Sequence, residues 1–342
     1  MTTDLLRVGV VGLGAFGELH CRVLTQMPDV ALIAVASRTP ERRTEIAARY
    51  GAQHACADIE AMLALRGIDA VVIASASHDH ADQARAAIEA GLHVLVEKPF
   101  TTEVWTAKAL ADAAIAHNVH LQVGFLSRYD TRLRRIFDTV ARGALGSIST
   151  MLFTRSVSRD VAQSGRYADP VSETMSHDVD LAIWFARQRV THVTAAVHHA
   201  LGLDRPDSCS AHMTFANGMS AVLQADWLLP DSAPRNIREG ERSLHATCQV
   251  IGARGRALAR LPSDDVVLWT DDNVFHPQAG LWDNAFGLLE GALVRQDTSF
   301  ARAARGERVQ VDAVDALSDA VHGQEVCAAI LHSAANGMGV RL

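Results

Sequence analysis

Apolar and polar residues change rhythm once along this chain. From residue 6 to about 125, short continuous apolar runs alternate with amphipathic stretches. The runs are LRVGVVG (6–12), ALIAVAS (31–37), DAVVIAS (69–75), HVLVE (93–97) and LQVGF (121–125). A strand that is apolar throughout is covered on both faces, and such strands alternating with helices form a parallel sheet. The stretches between them predict helices near 16–27, 40–50, 80–90 and 102–117. Thr39 and Pro40 suit the start of the second helix, Gly51 and Gly91 suit positions just past a helix end, and Thr102 suits a cap for the fourth. The outcome is a doubly wound, Rossmann-type α/β domain over residues 1–125.

After residue 125 the rhythm is mixed. A helix near 130–142 leads into SISTMLFTRS (147–156), then a loop at 157–171 and a helix at about 172–187. Strand-like runs follow at 190–199, 208–216 and 219–227. Asn217-Gly218 between the last two predicts a type I′ hairpin, and GARG (252–255) predicts another. Helices over 280–303 and 312–335 close the chain. This pattern describes an α+β domain over residues 126–342 with a largely antiparallel sheet, its last helix packing back on the first domain.

Length supports the division, because 342 residues exceed what one core usually holds. A net charge of −7 with no long basic run favours neither nucleic acid nor an anionic membrane as partner. Five scattered cysteines, odd in number and without a C-x-x-C, fit unpaired thiols in a reducing compartment. The N-terminal MTTDLLRVGVV carries an acid where a signal peptide carries bases, and no apolar run approaches the roughly 20 residues of a membrane span. A cytoplasmic protein is expected.

The first candidate chemistry lies in VGVVGLGAFGELH. Gly12, Gly14 and Gly17 form G-x-G-x-x-G between a strand and a helix, with Leu13, Ala15 and Phe16 completing the turn. Gly12 permits the tight turn, Gly14 lets backbone approach a pyrophosphate, and Gly17 lets helix and strand pack closely. The motif predicts a dinucleotide site. Where an NAD binder usually ends its second strand in Asp or Glu, this chain reads Ala36-Ser37-Arg38. Ser37 and Arg38, with Arg42 or Arg43 on the next helix, suit a 2′-phosphate, so NADP(H) is favoured and NAD(H) possible. In the competing reading Arg38 stacks on adenine and both cofactors are accepted. Ser75, Ala76, Ser77 and His80 follow another strand end and are expected to line the same crevice, whereas His78 is expected in solvent.

The second candidate is LHVLVEKPF (92–100), a strand that ends abruptly in Glu97-Lys98-Pro99. Ligands of doubly wound sheets bind beyond the carboxyl ends of the strands, which puts Glu97 and Lys98 beside the nicotinamide. Pro99 holds Lys98 in extended geometry. A partly desolvated lysine near a cationic ring has a lowered pKa, suited to proton transfer. The third candidate is SETMSHDVDLAIWF (172–185). On a helix, Glu173, His177 and Asp180 form one stripe, and Val179, Ile183 and Trp184 mark the packed side. His177 is a natural general base, with Asp180 or Glu173 to orient its ring. No metal is expected: an H-E-x-x-H reading fails at Leu181, and His198 and His199 alternate across a strand. Arg132, Arg134 and Arg135 read as a solvated helix face.

With these residues assembled, the chain resembles the Gfo/Idh/MocA oxidoreductases, named for glucose–fructose oxidoreductase and inositol dehydrogenase. The resemblance runs almost end to end, through GLGAFG, DAVVIAS, AGLHVLVEKPF, VGFLSRYD, SHDVD, VIGARGRA and SAANGMGVRL. It implies that Lys98 of EKP and His177 of H-x-x-D act at the reacting carbinol. Glu173 stands where many members have Asp, and Ala76 where strand ends often carry Pro. It further implies a large open sheet used for homodimer or homotetramer contacts, and a sugar, inositol or related polyol as substrate. Hydride would pass between nicotinamide and a secondary alcohol or ketone, with His177 or Lys98 moving the proton and Glu173 and Asp180 orienting His177. Arg128, Tyr129 and Tyr167, polar residues flanking the expected cleft, are candidate substrate contacts. Two alternatives stand beside this: an NAD-dependent glycosidase of the same fold, and a dinucleotide-binding sensor without turnover, against which the intact Lys98 and His177 argue.

Overall fold

A computed structural model describes residues 5–230, 232–233, 243–261, 268–269, 274–275, 281, 283–285, 288–307 and 313–342. The chain divides into two units, Met1–Tyr129 with Asn284–Val321, and Asp130–Asp283 with His322–Leu342. The first stretch of the first unit thus runs four residues past 125, and a later segment joins it.

The first unit runs β1 (Leu6–Val11), α1 (Ala15–Gln26), β2 (Val30–Ala36), α2 (Pro40–Tyr50), β3 (His54–Cys56), α3 (Ile59–Leu63), β4 (Ala70–Ile73), α4 (His80–Glu89), β5 (His93–Val96), α5 (Val104–Ala116) and β6 (Leu121–Val123). The strands form one parallel sheet in the order β3-β2-β1-β4-β5-β6. Strand order reverses between β1 and β4, which opens a crevice at their carboxyl ends. Val8, Val10, Val71, Val72, Val94 and Leu95 have no exposed surface, as residues covered by helices on both faces should. The second helix starts as expected, with Thr39 at the N-cap and Pro40 first in the helix, and ends at Gly51 with φ +71°. Thr102 does not cap α5, which begins two residues later behind Glu103. The strand β3 and helix α3 had no counterpart in the hydrophobic pattern.

The second unit runs α6 (Thr131–Ala141), β7 (Ile148–Ser158), α7 (Asp160–Gln163), a π-helical turn (Val171–Met175), α8 (Ser176–Ala186), β8 (Val190–His198), β9 (Ser208–Phe215), β10 (Ser220–Leu229), β11 (Leu244–Gly252) and β12 (Gly255–Leu261). Short pairs follow, β13 (Leu268–Trp269) with β14 (Val274–Phe275), and β15 (Asp283–Ala285) with β16 (Leu288–Glu290). Helices α9 (Ala292–Ala304) and α10 (Ala313–Asn336) and the strand β17 (Val340–Arg341) complete the chain. The larger sheet has the order β12-β11-β7-β10-β9-β8-β17 and is antiparallel except where β7 meets β10. Its inner face builds a core with α6 and α8, including Phe153, Trp184, Phe185, Met213 and Leu223. On the other face the register sets His212, Val222, Leu152, Gln249 and Leu258 in one row across five strands. Leu152, Val222 and Leu258 in that row are exposed.

Three expectations change. The hairpin at Asn217-Gly218 is present, but its turn is not type I′. Among the described non-glycine residues only Asn118 and Arg187 have positive φ. Instead the Gly218 N–H donates to Phe215 O at 2.9 Å, the Phe215 N–H donates to Met219 O at 2.9 Å, and Gly218 takes φ +85° as a bulge. The Asn217 side chain accepts from the Met219 N–H at 3.2 Å, which favours this form. The helix expected over 280–303 begins only at Ala292, because Gly291 at φ +104° breaks it and β15 and β16 precede it. Residues 280, 282, 286 and 287 of that helix, and residue 312 of the one expected over 312–335, lie outside the described residues. The loop expected at 157–171 is partly ordered as the end of β7, α7 and the start of the π turn.

Candidate active site

The glycine turn after β1 shows why each glycine is needed. Gly12 has φ +86°, and a Cβ there would lie 2.4 Å from backbone Cα and N of Ser75, at the end of β4. A Cβ on Gly17 would lie 1.8 Å from the Gly12 carbonyl oxygen. Gly14 is the N-cap of α1, and a Cβ on it would meet no protein atom within 4 Å. So Gly12 and Gly17 bring strand and helix together, and Gly14 faces open space at a helix N-terminus. A pyrophosphate fits that arrangement: bare backbone at the positive end of the helix dipole. Leu13 is buried, while Ala15 and Phe16 form the exposed and half-buried first turn of α1.

A cleft of about 590 Å³ extends from this turn. Gly12, Gly14, Ser37, Arg38, Ser75 and Ala76 line it. The start of α3 contributes its N-cap Asp58 and Glu60, and the start of α4 contributes Asp79 and Asp82, none of which the motifs had indicated. Arg38 is 79% exposed and lies 3.5 Å from Asp79. Arg42 is engaged elsewhere: its Nε donates to Leu13 O at 2.9 Å and its other nitrogens meet Glu18 and Glu45. Arg43 stands nearer the end of β2, donating to Ser37 O at 3.0 Å. Ser77 is half-buried outside the cleft lining. His80 sits beneath the cleft instead of on its wall, fully buried, with Nδ1 donating to Pro99 O at 2.8 Å and Nε2 3.2 Å from Ser75 O. Burial pushes its pKa down, which suits a neutral ring.

Lys98 follows β5, at the same sheet edge as Gly12 after β1 and Ser75 after β4. It is half-buried. Glu97 was expected at the cofactor. Its carboxylate instead turns inward: Oε1 is 3.2 Å from His20 Nε2, and Oε2 accepts from the Lys98 N–H at 3.2 Å. His20 Nδ1 lies 3.0 and 2.8 Å from the two carboxylate oxygens of Asp297 on α9. Burial alone would lower the pKa of His20, but Asp297 and Glu97 outweigh it and carry the imidazole up to about 10. The ring is therefore an imidazolium at neutral pH, between two buried carboxylates.

The other candidate groups lie in the second unit. Glu173 falls in the π-helical turn, and His177 and Asp180 fall in the α-helix that follows. Glu173 and His177 are half-buried and Asp180 is buried. The wider π turn shifts Glu173 out of the simple α-helical spacing assumed for the three. The expected division of α8 into a polar and a packed side does not hold, since every residue from Asp178 to Phe185 is buried. Burying Asp178 is possible because Arg155 of β7 makes two hydrogen bonds to it, at 3.0 and 2.8 Å. Tyr167 packs beside Trp227, ring centroids 6.4 Å apart. In the first unit, Arg128 is buried with its guanidinium donating to Asp319 at 3.0 Å, and the Tyr129 hydroxyl donates to Ser299 at 3.5 Å. Arg128, Tyr129 and Tyr167, the expected substrate contacts, thus each have a neighbour within the protein.

All five cysteines are free and buried. Burial pushes their thiols up, Cys21, Cys209 and Cys327 to about 12, so none is poised as a nucleophile. Among the described residues no group of three His, Cys, Asp or Glu side chains is arranged to hold a metal, and no helix is long and apolar enough to cross a membrane.

Comparison with known proteins gives this architecture a context. A 4-carboxy-2-hydroxymuconate-6-semialdehyde dehydrogenase from Sphingobium sp. (strain NBRC 103272 / SYK-6) is 29% identical over 58% of this chain and 65% of its own length. Inositol 2-dehydrogenase 3 from Saccharopolyspora erythraea is 33% identical over 52% of this chain and 53% of its own length. The matched stretch thus spans about half to two thirds of these relatives. The solved structure of GenD2 from gentamicin A biosynthesis, in complex with NAD, superposes with a TM-score of 0.85 at 26% identity, covering 100% of this chain and 97% of that one. Residues 6–125 match the oxidoreductase family with NAD-binding Rossmann fold, and residues 133–258 match the GFO/IDH/MocA C-terminal domain. Two domain matches in the order the fold requires, on a glycine turn built to take a dinucleotide, establish that the chain belongs to the Gfo/Idh/MocA family of oxidoreductases.

Proposed function

We propose that this protein is an NAD(P)-dependent oxidoreductase acting on a secondary alcohol or ketone of a sugar, inositol or related polyol. The observation that carries the reading is the position of Lys98, at the carboxyl edge of the sheet that also carries the glycine turn and its cleft. The inositol 2-dehydrogenase relative supports the substrate class. A bound nicotinamide supplies or accepts the hydride. The chain supplies the proton chemistry. Lys98 places a positive charge and a transferable proton at the reacting oxygen, where developing negative charge needs stabilising. His177 is the second proton-transfer group, oriented by Asp180 and Glu173. A half-buried imidazole is suited to that work near neutral pH.

The cofactor of choice is NADP(H), with NAD(H) also accepted. The end of β2 reads Ala36-Ser37-Arg38, with no acid of its own to accept from a ribose 2′-hydroxyl, whereas Arg38 and Arg43 both reach that end. Arg38→Glu is expected to raise the NADPH dissociation constant by about ten- to a hundredfold, the worth of one charge-assisted hydrogen bond. NADH affinity should change little. Fluorescence titration with both cofactors checks this, and equal losses for the two would show that Arg38 reads no 2′-phosphate.

The open face of the larger sheet, with its row from His212 to Leu258, is the surface proposed to meet a second copy in a homodimer or homotetramer. The experiment that tests the activity is a screen of polyols and sugars with NAD and NADP side by side, followed at the absorbance of the reduced cofactor. Cofactor reduction by at least one polyol is the expected result. Silence across the panel, or cleavage of aryl glycosides without net cofactor reduction, would overturn the reading.

A further inference from the structure

His20 belongs to no part of the reaction described so far, yet it is fully buried and both its ring nitrogens meet carboxylates. It lies on the inner face of α1, three residues after Gly17, with no exposed surface. One ring nitrogen meets Asp297 of α9 and the other meets Glu97 at the end of β5. Glu97 in turn receives the backbone N–H of Lys98 at 3.2 Å. Gly124 makes room for this: a Cβ there would lie 2.6 Å from Glu97 Oε1. On the far side of Lys98, the carbonyl of Pro99 is held by His80 at 2.8 Å. The residues before and after Lys98 are thus each gripped by a buried histidine, one charged and one neutral.

Stability alone does not account for the arrangement. Well-packed apolar residues in place of a buried ion pair are often neutral or stabilising. What the charged chain does provide is direction. It joins the helix whose N-terminus faces the cofactor cleft to the turn that carries Lys98, through contacts that tolerate little displacement. We propose that His20 is a positioning residue for the reaction: held by Asp297, it fixes Glu97 and through it the backbone that aims Lys98. This inference rests on the reading of Lys98 as a proton-transfer group.

The sequence offers a direct probe, because it contains only two lysines, Lys98 and the exposed Lys108. Reductive ¹³C-methylation leaves both charged and gives two side-chain signals, assigned with Lys108→Arg. In His20→Asn, and in the nearly isosteric Asp297→Asn, the Lys98 signal is expected to move in shift and in titration midpoint while that of Lys108 stays. Turnover of myo-inositol, or of the best polyol from the screen, is expected to fall about ten- to a hundredfold, as for a misplacement of about 1 Å. The NADPH dissociation constant should stay within about twofold of wild type, since the glycine turn is untouched. Asp297→Asn keeps the test decisive if His20→Asn does not fold. An unmoved Lys98 signal in a folded variant, alongside an inactive Lys98→Met, overturns this inference alone. Full turnover in Lys98→Met overturns the acid–base reading, and this inference with it.

Discussion

Lys98→Met is expected to lower turnover by about two to four orders of magnitude and to leave NAD(P)H affinity almost unchanged. Methionine keeps the length and much of the apolar contact of the lysine stem, so the change removes charge and proton with little loss of packing. Both losses fall on the transition state. Proton transfer by a positioned group contributes typically 10²–10⁴-fold, about 3–5 kcal/mol of barrier. No other lysine can take over, because Lys108 is exposed on α5. Steady-state kinetics against polyol and cofactor separate the outcomes. A fall in kcat and kcat/KM together marks an interaction made in the transition state, whereas a rise in KM at constant kcat marks a binding role only. Wild-type turnover would remove Lys98 from the chemistry.

The second large effect concerns the glycine turn, where two substitutions of the same size should behave in opposite ways. In Gly17→Ala the new methyl would sit 1.8 Å from the Gly12 carbonyl, a backbone atom that cannot step aside. Helix α1 must shift against β1, at a cost of about 1–3 kcal/mol or more. A lower melting temperature and a loss of dinucleotide binding should therefore appear together. In Gly14→Ala the methyl meets nothing in the protein, and the backbone at φ −71° accepts alanine. The fold should melt within a few degrees of wild type, while dinucleotide affinity falls at least about tenfold because the methyl occupies the approach of the pyrophosphate. Melting curves and fluorescence titrations on the two variants give the contrast. A Gly14→Ala protein with full affinity would mean that the phosphates bind elsewhere.

Much of the first unit was legible because its signals are local. A strand such as β1 is apolar at nearly every position, and a helix such as α2 is marked by Thr39-Pro40 and Gly51 within a few residues of its ends. The strand β3 escaped because two of its three residues are exposed and carry no pattern. What sequence alone misjudged was long-range pairing. The helix α8 reads as half polar, but the charge of Asp178 is matched by an arginine 23 residues earlier on strand β7. Arg42 has the reach for a phosphate and equally for Glu18 and Glu45, and only the folded chain shows which it takes. His20 did leave a trace, an ionisable residue within the buried stripe of Gly17, Cys21, Val23 and Leu24. Its partner Asp297 lies 277 residues away and follows from no local spacing.

The route of the chain through the first unit limits how that unit can be separated. Its six strands are complete by residue 123, yet Asn284–Val321 belongs to the same body and brings the aspartate that neutralises His20. A truncated piece ending at Tyr129 would retain every strand of the parallel sheet and the whole glycine turn while leaving an imidazole and a glutamate sealed inside without their third member. Grafting the nucleotide-binding part of this protein onto another member of the family therefore means transplanting two stretches of chain together.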